Sequence, residues 1–237
     1  MIAAHALDAS RVFITGLSAG GAMTAAMLAC YPELFAAGAI VAGLPYGAAA
    51  NVREALEAMR SAPLRDPHQW GDAVRAASAH TGPWPRVSIW HGETDMTVAI
   101  DNAKAGVAQW ADVHGLALAA ARQDRMDGAL HLSWGRALEV VTVPALGHGV
   151  PIAARDLGAP APYILEAGIS STRRIAEFFG LLDEAKPRAK PVPVAADRPA
   201  LPEIEAVLMP HAAAPQEGRI EKVIRRALEA AGLLRKK

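Results

Sequence analysis

The chain has 237 residues, 52% of them apolar, enough to bury a core and too many for a disordered polymer. Its 24 basic and 24 acidic residues cancel, so no excess charge favours nucleic acid or an anionic membrane, and a neutral small molecule or neutral polymer suits it better as substrate. Cys30 is the single cysteine, so no intrachain disulfide is possible and packing is its expected role.

Residues 1–8 carry no basic start, no long apolar centre and no cleavage site, so they do not read as a signal peptide; they resemble the tail of a helix. Residues 12–15, V-F-I-T, read as a buried strand, and residues 19–30, rich in Ala, Met and Leu, as a helix stopped by Pro32. Between them lies Gly16-Leu17-Ser18-Ala19-Gly20. This G-x-S-x-G pattern demands a sharp strand-to-helix turn that lifts the serine hydroxyl above the sheet. Side chains at Gly16 and Gly20 are expected to clash there, and the helix N-terminus beside Ser18 favours developing negative charge.

The apolar run of residues 34–44, eleven long, is too short to cross a bilayer, and within it residues 38–43 read as a short buried parallel strand. Residues 51–61 have helical spacing, with Val52, Ala55, Leu56 and Met59 on one stripe. A second short helix is expected over 68–79, with Trp70 and Trp84 as packing residues. Residues 86–91, R-V-S-I-W-H, form the next strand and run into Gly92-Glu93-Thr94-Asp95, which puts Asp95 just past a strand's carboxyl end. Helical periodicity returns over 100–114 with Ala103, Val107 and Trp110 inward. Strands are expected over 130–134 and 138–143, and the second leads to Gly147-His148-Gly149. Ser170 or Ser171 should cap a last helix running to Leu182.

Strands alternating with helices imply an α/β fold with a parallel sheet, whose reactive groups gather at the strands' carboxyl ends. Ser18, Asp95 and His148 all fall at that edge, in the order nucleophile, acid, histidine. Glu93 and Asp101 compete with Asp95 for the acid position. His131 and His211 read as solvated or satisfied side chains.

The residues resemble a known family, the esterases grouped with polyhydroxybutyrate depolymerases, feruloyl esterases and acetylxylan esterases, within the α/β-hydrolase fold. The matching pieces are G-L-S-A-G-G-A-M at 16–23, Y-P-E-L-F-A-A-G-A at 31–39, W-H-G-E-T-D at 90–95 and G-H-G-V-P-I at 147–152, within a similarity spanning roughly residues 1–182. The resemblance implies Ser18 as nucleophile, His148 as general base and then acid, Asp95 as orienting carboxylate, and the Ala19 N–H as one oxyanion donor. It implies hydrolysis of small or polymeric carboxylic esters through an acyl-enzyme, with no metal or organic cofactor, and an extracellular location.

Two departures from the family pattern stand out. Gly149-Val150-Pro151 stands where polyester-degrading members often carry a tryptophan soon after the histidine. Only 17 residues precede Ser18, and no H-G pair lies among them to supply a second oxyanion donor, so the chain is expected to begin inside the helix leading to the serine strand, with the sheet's first strands missing. The expected organisation is a partial hydrolase domain over 1–183, a Pro/Ala-rich linker over 184–215 and an amphipathic helix over 216–237 that docks on the domain or on a partner copy. The readings to be set against an esterase are a catalytically silent fragment or interaction module, and another α/β-hydrolase such as a peptidase or thioesterase.

Overall fold

The computed structural model describes residue 5 and residues 7–182. The expectations for residues 1–4, the 184–215 linker, the 216–237 helix and His211 lie outside the described residues. A six-stranded sheet carries the fold, in the spatial order β1-β2-β3-β6-β5-β4. β1 (Phe13–Leu17), β2 (Ala37–Val41), β3 (Arg86–Gly92) and β6 (Leu138–Val143) run parallel, connected through α1 (Ala19–Cys30), α2 (Val52–Arg60), α3 (Pro67–Arg75) and α4 (Asp101–Val113).

The sheet is mixed, which corrects the expectation of a parallel one. β4 (Arg122–Met126) and β5 (Ala129–Trp134) form an antiparallel hairpin that continues antiparallel onto β6. Its turn is Asp127-Gly128, both at positive φ (49° and 87°), the backbone that matches the right-handed twist of two paired strands. The link from β5 to β6 is also short, residues 135–137, and an antiparallel pair closes over so few residues where a parallel pair needs a crossover.

Both faces of the sheet are covered. Leu28 of α1, Val74 of α3 and Val107 and Trp110 of α4 pack on Ile40, Val87 and Ile89. On the opposite face Ile175 and Phe179 of α5 (Ser171–Phe179) meet Ala37, Val41, Trp90 and Val141. Two-sided burial explains why β2 is buried at every residue, as in strands sandwiched between helices. Trp70 is fully buried and Trp84 packs against the first cluster, both as expected.

Ser170 is the cap of α5, accepting from the Arg173 amide, and the helix stops before the left-handed Gly180 rather than at Leu182. α2 starts at its Asn51 cap as expected, but its apolar stripe is not core: Val52 and Leu56 are exposed and Ala58 is the buried residue. Cys30 is half-buried, with Sγ 3.7 Å from the Tyr46 hydroxyl. No helix among the described residues is long and apolar enough to cross a membrane.

Two histidines, His91 buried and His114 half-buried, give this fold an acid limit. Burial holds both His91 and His114 below the ordinary value of 6.5, against the hydrogen bonds each makes to a backbone carbonyl. The unfolded chain therefore takes up protons near pH 6.5 that the native protein refuses. Stability is full above that pH and is lost as pH falls through the window below it, by up to about 1.4 kcal/mol per pH unit for each histidine. Chemical denaturation at neutral pH and two units lower should show the drop, and a flat profile would contradict it.

Candidate active site

β1, β3 and β6 end on one rim, and each delivers one residue there. Ser18 follows β1 directly and sits at φ 57°, ψ −116°, a strained conformation that costs on the order of 1–3 kcal/mol and persists only where its surroundings enforce it. The Ser18 amide donates to the Val41 carbonyl at 2.9 Å, tying the turn to the end of β2, while its own carbonyl opens α1 by accepting from Ala22 at 2.9 Å. The serine side chain caps nothing. Ala19 is the first helical residue, so its N–H has no intrahelical acceptor.

The glycines around this turn divide unevenly. A Cβ on Gly16 would lie 2.3 Å from the Gly20 carbonyl oxygen, so the expected clash is present there. Gly20 itself has open space around the position of a Cβ, which corrects the expectation for that residue. It lies exposed on the first turn of α1, and what Gly16 abuts is its backbone. The second crowded position is Gly21, where a Cβ would fall 2.8 Å from the Val41 carbonyl oxygen. Gly16→Ala should therefore collapse the turn, losing both activity and the cooperative unfolding transition. Gly20→Ala should fold and gain up to about 1 kcal/mol from helix propensity. Thermal unfolding of the two variants checks the contrast, and equal destabilisation would refute it.

Asp95 follows β3 and is buried, its side chain fully inaccessible. Its Oδ1 accepts from the Thr97 and Val98 amides, each at 2.8 Å, and its Oδ2 lies 2.7 Å from His148 Nδ1. Burial raises its pKa, but these bonds outweigh burial and hold the carboxyl below the ordinary range. The competitors are engaged elsewhere, Glu93 with Thr142 and Asp101 with Lys104. His131 is satisfied as expected, its Nε2 3.0 Å from Glu139 Oε2.

His148 follows β6 through a loop pressed against β3. Gly92 makes this approach possible, since a Cβ there would fall 2.2 Å from the Leu146 carbonyl oxygen, and the Thr94 amide and hydroxyl both donate to that same oxygen. The loop then turns back across the sheet. Val150 packs in one cluster with Leu17 and Val41, the residues just before Ser18 and at the end of β2. Gly149 is the glycine this path requires, because a Cβ would lie 2.7 Å from the Tyr163 carbonyl oxygen, whereas Gly147 has open space.

The Tyr163 ring stands edge-on to His148 at a centroid distance of 6.2 Å. It belongs to the segment carrying β7 (Val150–Ile152) and β8 (Ile164–Glu166), a small parallel pair that the sequence pattern did not reveal. Among the described residues, five non-glycine residues have positive φ. Ser18, Ala42, Ala145 and Tyr163 surround this rim, a concentration of backbone strain of the kind found at functional sites.

Among the described residues, neither the Ser18 hydroxyl nor His148 Nε2 has a hydrogen-bond partner, and no group of His, Cys, Asp or Glu is arranged to hold a metal ion. The rim thus presents an imidazole oriented by a buried carboxylate and a hydroxyl held on a strained turn. His91 was not recognised from the sequence as part of it. That histidine is buried, with Nε2 2.8 Å from the Val98 carbonyl and 3.6 Å from Asp95 Oδ2. The sequence signal available for it was its place in W-H-G-E-T-D at 90–95, four residues before Asp95.

Comparison with known proteins identifies the family and the fold. Residues 1–131 match the family model described as esterase PHB depolymerase. The chain is 38% identical over 192 residues to poly(3-hydroxyalkanoate) depolymerase C of Paucimonas lemoignei, covering 77% of this chain and 46% of that protein. It is 35% identical over 153 residues to an acetylxylan esterase of Coprinopsis cinerea, covering 61% of this chain and 41% of that one. The acetyl xylan esterase structure from Aspergillus awamori superposes with a TM-score of 0.63 at 26% identity, over 76% of this chain and 62% of that chain. The chain thus spans less than half the length of the two curated relatives. Its mixed six-stranded sheet flanked by helices is of the α/β-hydrolase class, and the chain belongs to the esterase PHB depolymerase family.

Proposed function

We propose that the chain is a serine carboxylic-ester hydrolase in which Ser18, His148 and Asp95 act as the triad. The single observation that carries the reading is the 2.7 Å contact between His148 Nδ1 and the buried Asp95 carboxylate, on the rim where the G-x-S-x-G turn lifts Ser18. Asp95 fixes the imidazole with hydrogen on Nδ1 and leaves Nε2 free to take a proton.

In the proposed reaction His148 Nε2 removes the Ser18 hydroxyl proton as the oxygen attacks the ester carbonyl. The hydroxyl–imidazole hydrogen bond, not made in the free protein, would form in the substrate complex, as is common in such sites. The Ala19 N–H at the start of α1 donates to the oxyanion. His148 then protonates the departing alcohol, and water, activated by the same imidazole, releases the acid and restores Ser18. No metal or organic cofactor takes part in these steps.

The names of the relatives supply the candidate substrates: polyhydroxyalkanoate, acetyl and feruloyl esters. An apolar cavity of about 370 Å³ walled by Leu17, Val41, Val150, Ile175 and Phe179 includes Leu17, the residue before Ser18, without reaching Ser18, Asp95 or His148 themselves; a substrate group extending into it would be uncharged. Residues 1–183 would form the catalytic unit. A panel of short-chain nitrophenyl esters, feruloyl esters, thioesters and peptides tests the reading. Oxygen esters should be cleaved preferentially. A preference for thioesters or peptides, or turnover equal in Ser18→Ala, would overturn it.

A further inference from the structure

His91 is buried on β3, 2% exposed, and the triad chemistry leaves it without a task. Its Nε2 lies 2.8 Å from the Val98 carbonyl oxygen. A carbonyl only accepts, so Nε2 carries the hydrogen and Nδ1 is bare. Val98 is also held at its other end, where its amide donates to Asp95 Oδ1 at 2.8 Å. The same His91 Nε2 stands 3.6 Å from Asp95 Oδ2, the oxygen that His148 Nδ1 approaches to 2.7 Å.

The turn that Asp95 opens belongs to no helix or strand, and its tip residue Met96 is almost wholly exposed. The Val98 side chain is buried and the Ala99 amide donates to the Met59 carbonyl at 2.7 Å, but the side chains that bond the backbone of residues 96–98 are those of Asp95 and His91. Taking Ser18, His148 and Asp95 as the reacting set proposed above, we propose that His91 is a positioning residue: by gripping the Val98 carbonyl it holds the 95–98 turn closed on Asp95, so that one carboxylate oxygen is occupied by amides and the other faces His148.

A neutral N–H at 3.6 Å also favours the carboxylate without competing for the hydrogen bond to His148, because the shorter contact to Val98 consumes it. Burial disfavours the charged form of His91, and a charged imidazole in that place would draw Asp95 away from His148 as the latter becomes an imidazolium.

The test compares the wild-type protein with His91→Phe and His91→Gln by nitrogen-15 histidine NMR and by ester kinetics. In the wild type, His91 should appear at neutral pH as the neutral Nε2–H tautomer with a slowly exchanging proton. The low-field proton between His148 and Asp95 should be seen in wild type and in His91→Gln, whose amide keeps a donor, and should be lost or shifted in His91→Phe. The ester kcat should fall about 10- to 100-fold in His91→Phe with KM unchanged, and recover in His91→Gln. An unchanged His148 proton in folded His91→Phe overturns the proposal. So does an Nδ1–H tautomer at His91 in the wild type, a result that needs no variant to fold. If the wild type cleaves no ester, the esterase reading falls, while the NMR comparison still decides the role of His91.

Discussion

Ser18→Ala is expected to lower ester turnover by on the order of a million-fold while the protein stays folded. Thr94, in the turn from β3, offers no replacement nucleophile, because its hydroxyl is committed to the Leu146 carbonyl. Alanine keeps the Cβ, so the strain at φ 57°, ψ −116° stays and stability should hardly change. Ser18→Gly should abolish activity equally and raise the unfolding free energy by about 1–3 kcal/mol, because glycine accepts that backbone without cost. Denaturant unfolding of the two inactive variants separates these effects. Equal stability in both would mean that the turn is not strained, and substantial residual turnover would mean that the nucleophile lies elsewhere.

Asp95→Asn should cost about 10⁴-fold in kcat with KM little altered. The amide keeps one oxygen for the Thr97 and Val98 amides but presents an N–H₂ where His148 Nδ1–H now donates. The imidazole must then turn its bare nitrogen toward residue 95 and carry its hydrogen on Nε2, where it cannot accept the Ser18 proton. Steady-state kinetics, paired with circular dichroism to confirm folding, measure the loss. A variant that keeps more than a tenth of wild-type kcat would remove Asp95 from the triad and return Glu93 and Asp101 to consideration.

The sequence carried the site further than it carried the sheet. The strand–Gly-x-Ser-x-Gly–helix pattern is local, and so were the reasons to place Asp95 and His148 just past strands; each residue followed a strongly apolar run. β4 escaped because Arg122–Met126 is a charged, mostly exposed strand at the edge of the sheet, where no buried face imposes alternation. The Asp127-Gly128 turn was the available signal for an antiparallel hairpin, and it fixes the mixed sheet that a rule of alternating strands and helices does not foresee.

Other features depend on contacts that only the folded chain creates. Gly16 and Gly20 look equivalent in the pattern, yet one abuts backbone and the other faces open space. Gly92 and Gly149 matter because two distant segments, the Leu146 carbonyl and the Tyr163 carbonyl, come against them. His91 looks like any strand residue until the turn from Asp95 folds back and brings the Val98 carbonyl over it.

Labelling by a serine-directed fluorophosphonate tests the central claim most directly, with peptide mapping of the modified residue and the rate compared between wild type and His148→Ala. The account predicts a single phosphonylated residue, Ser18, and a rate that falls by orders of magnitude when the imidazole is removed. Folded wild-type protein that takes up no probe, or labelling at Ser18 that proceeds equally fast without His148, would contradict it.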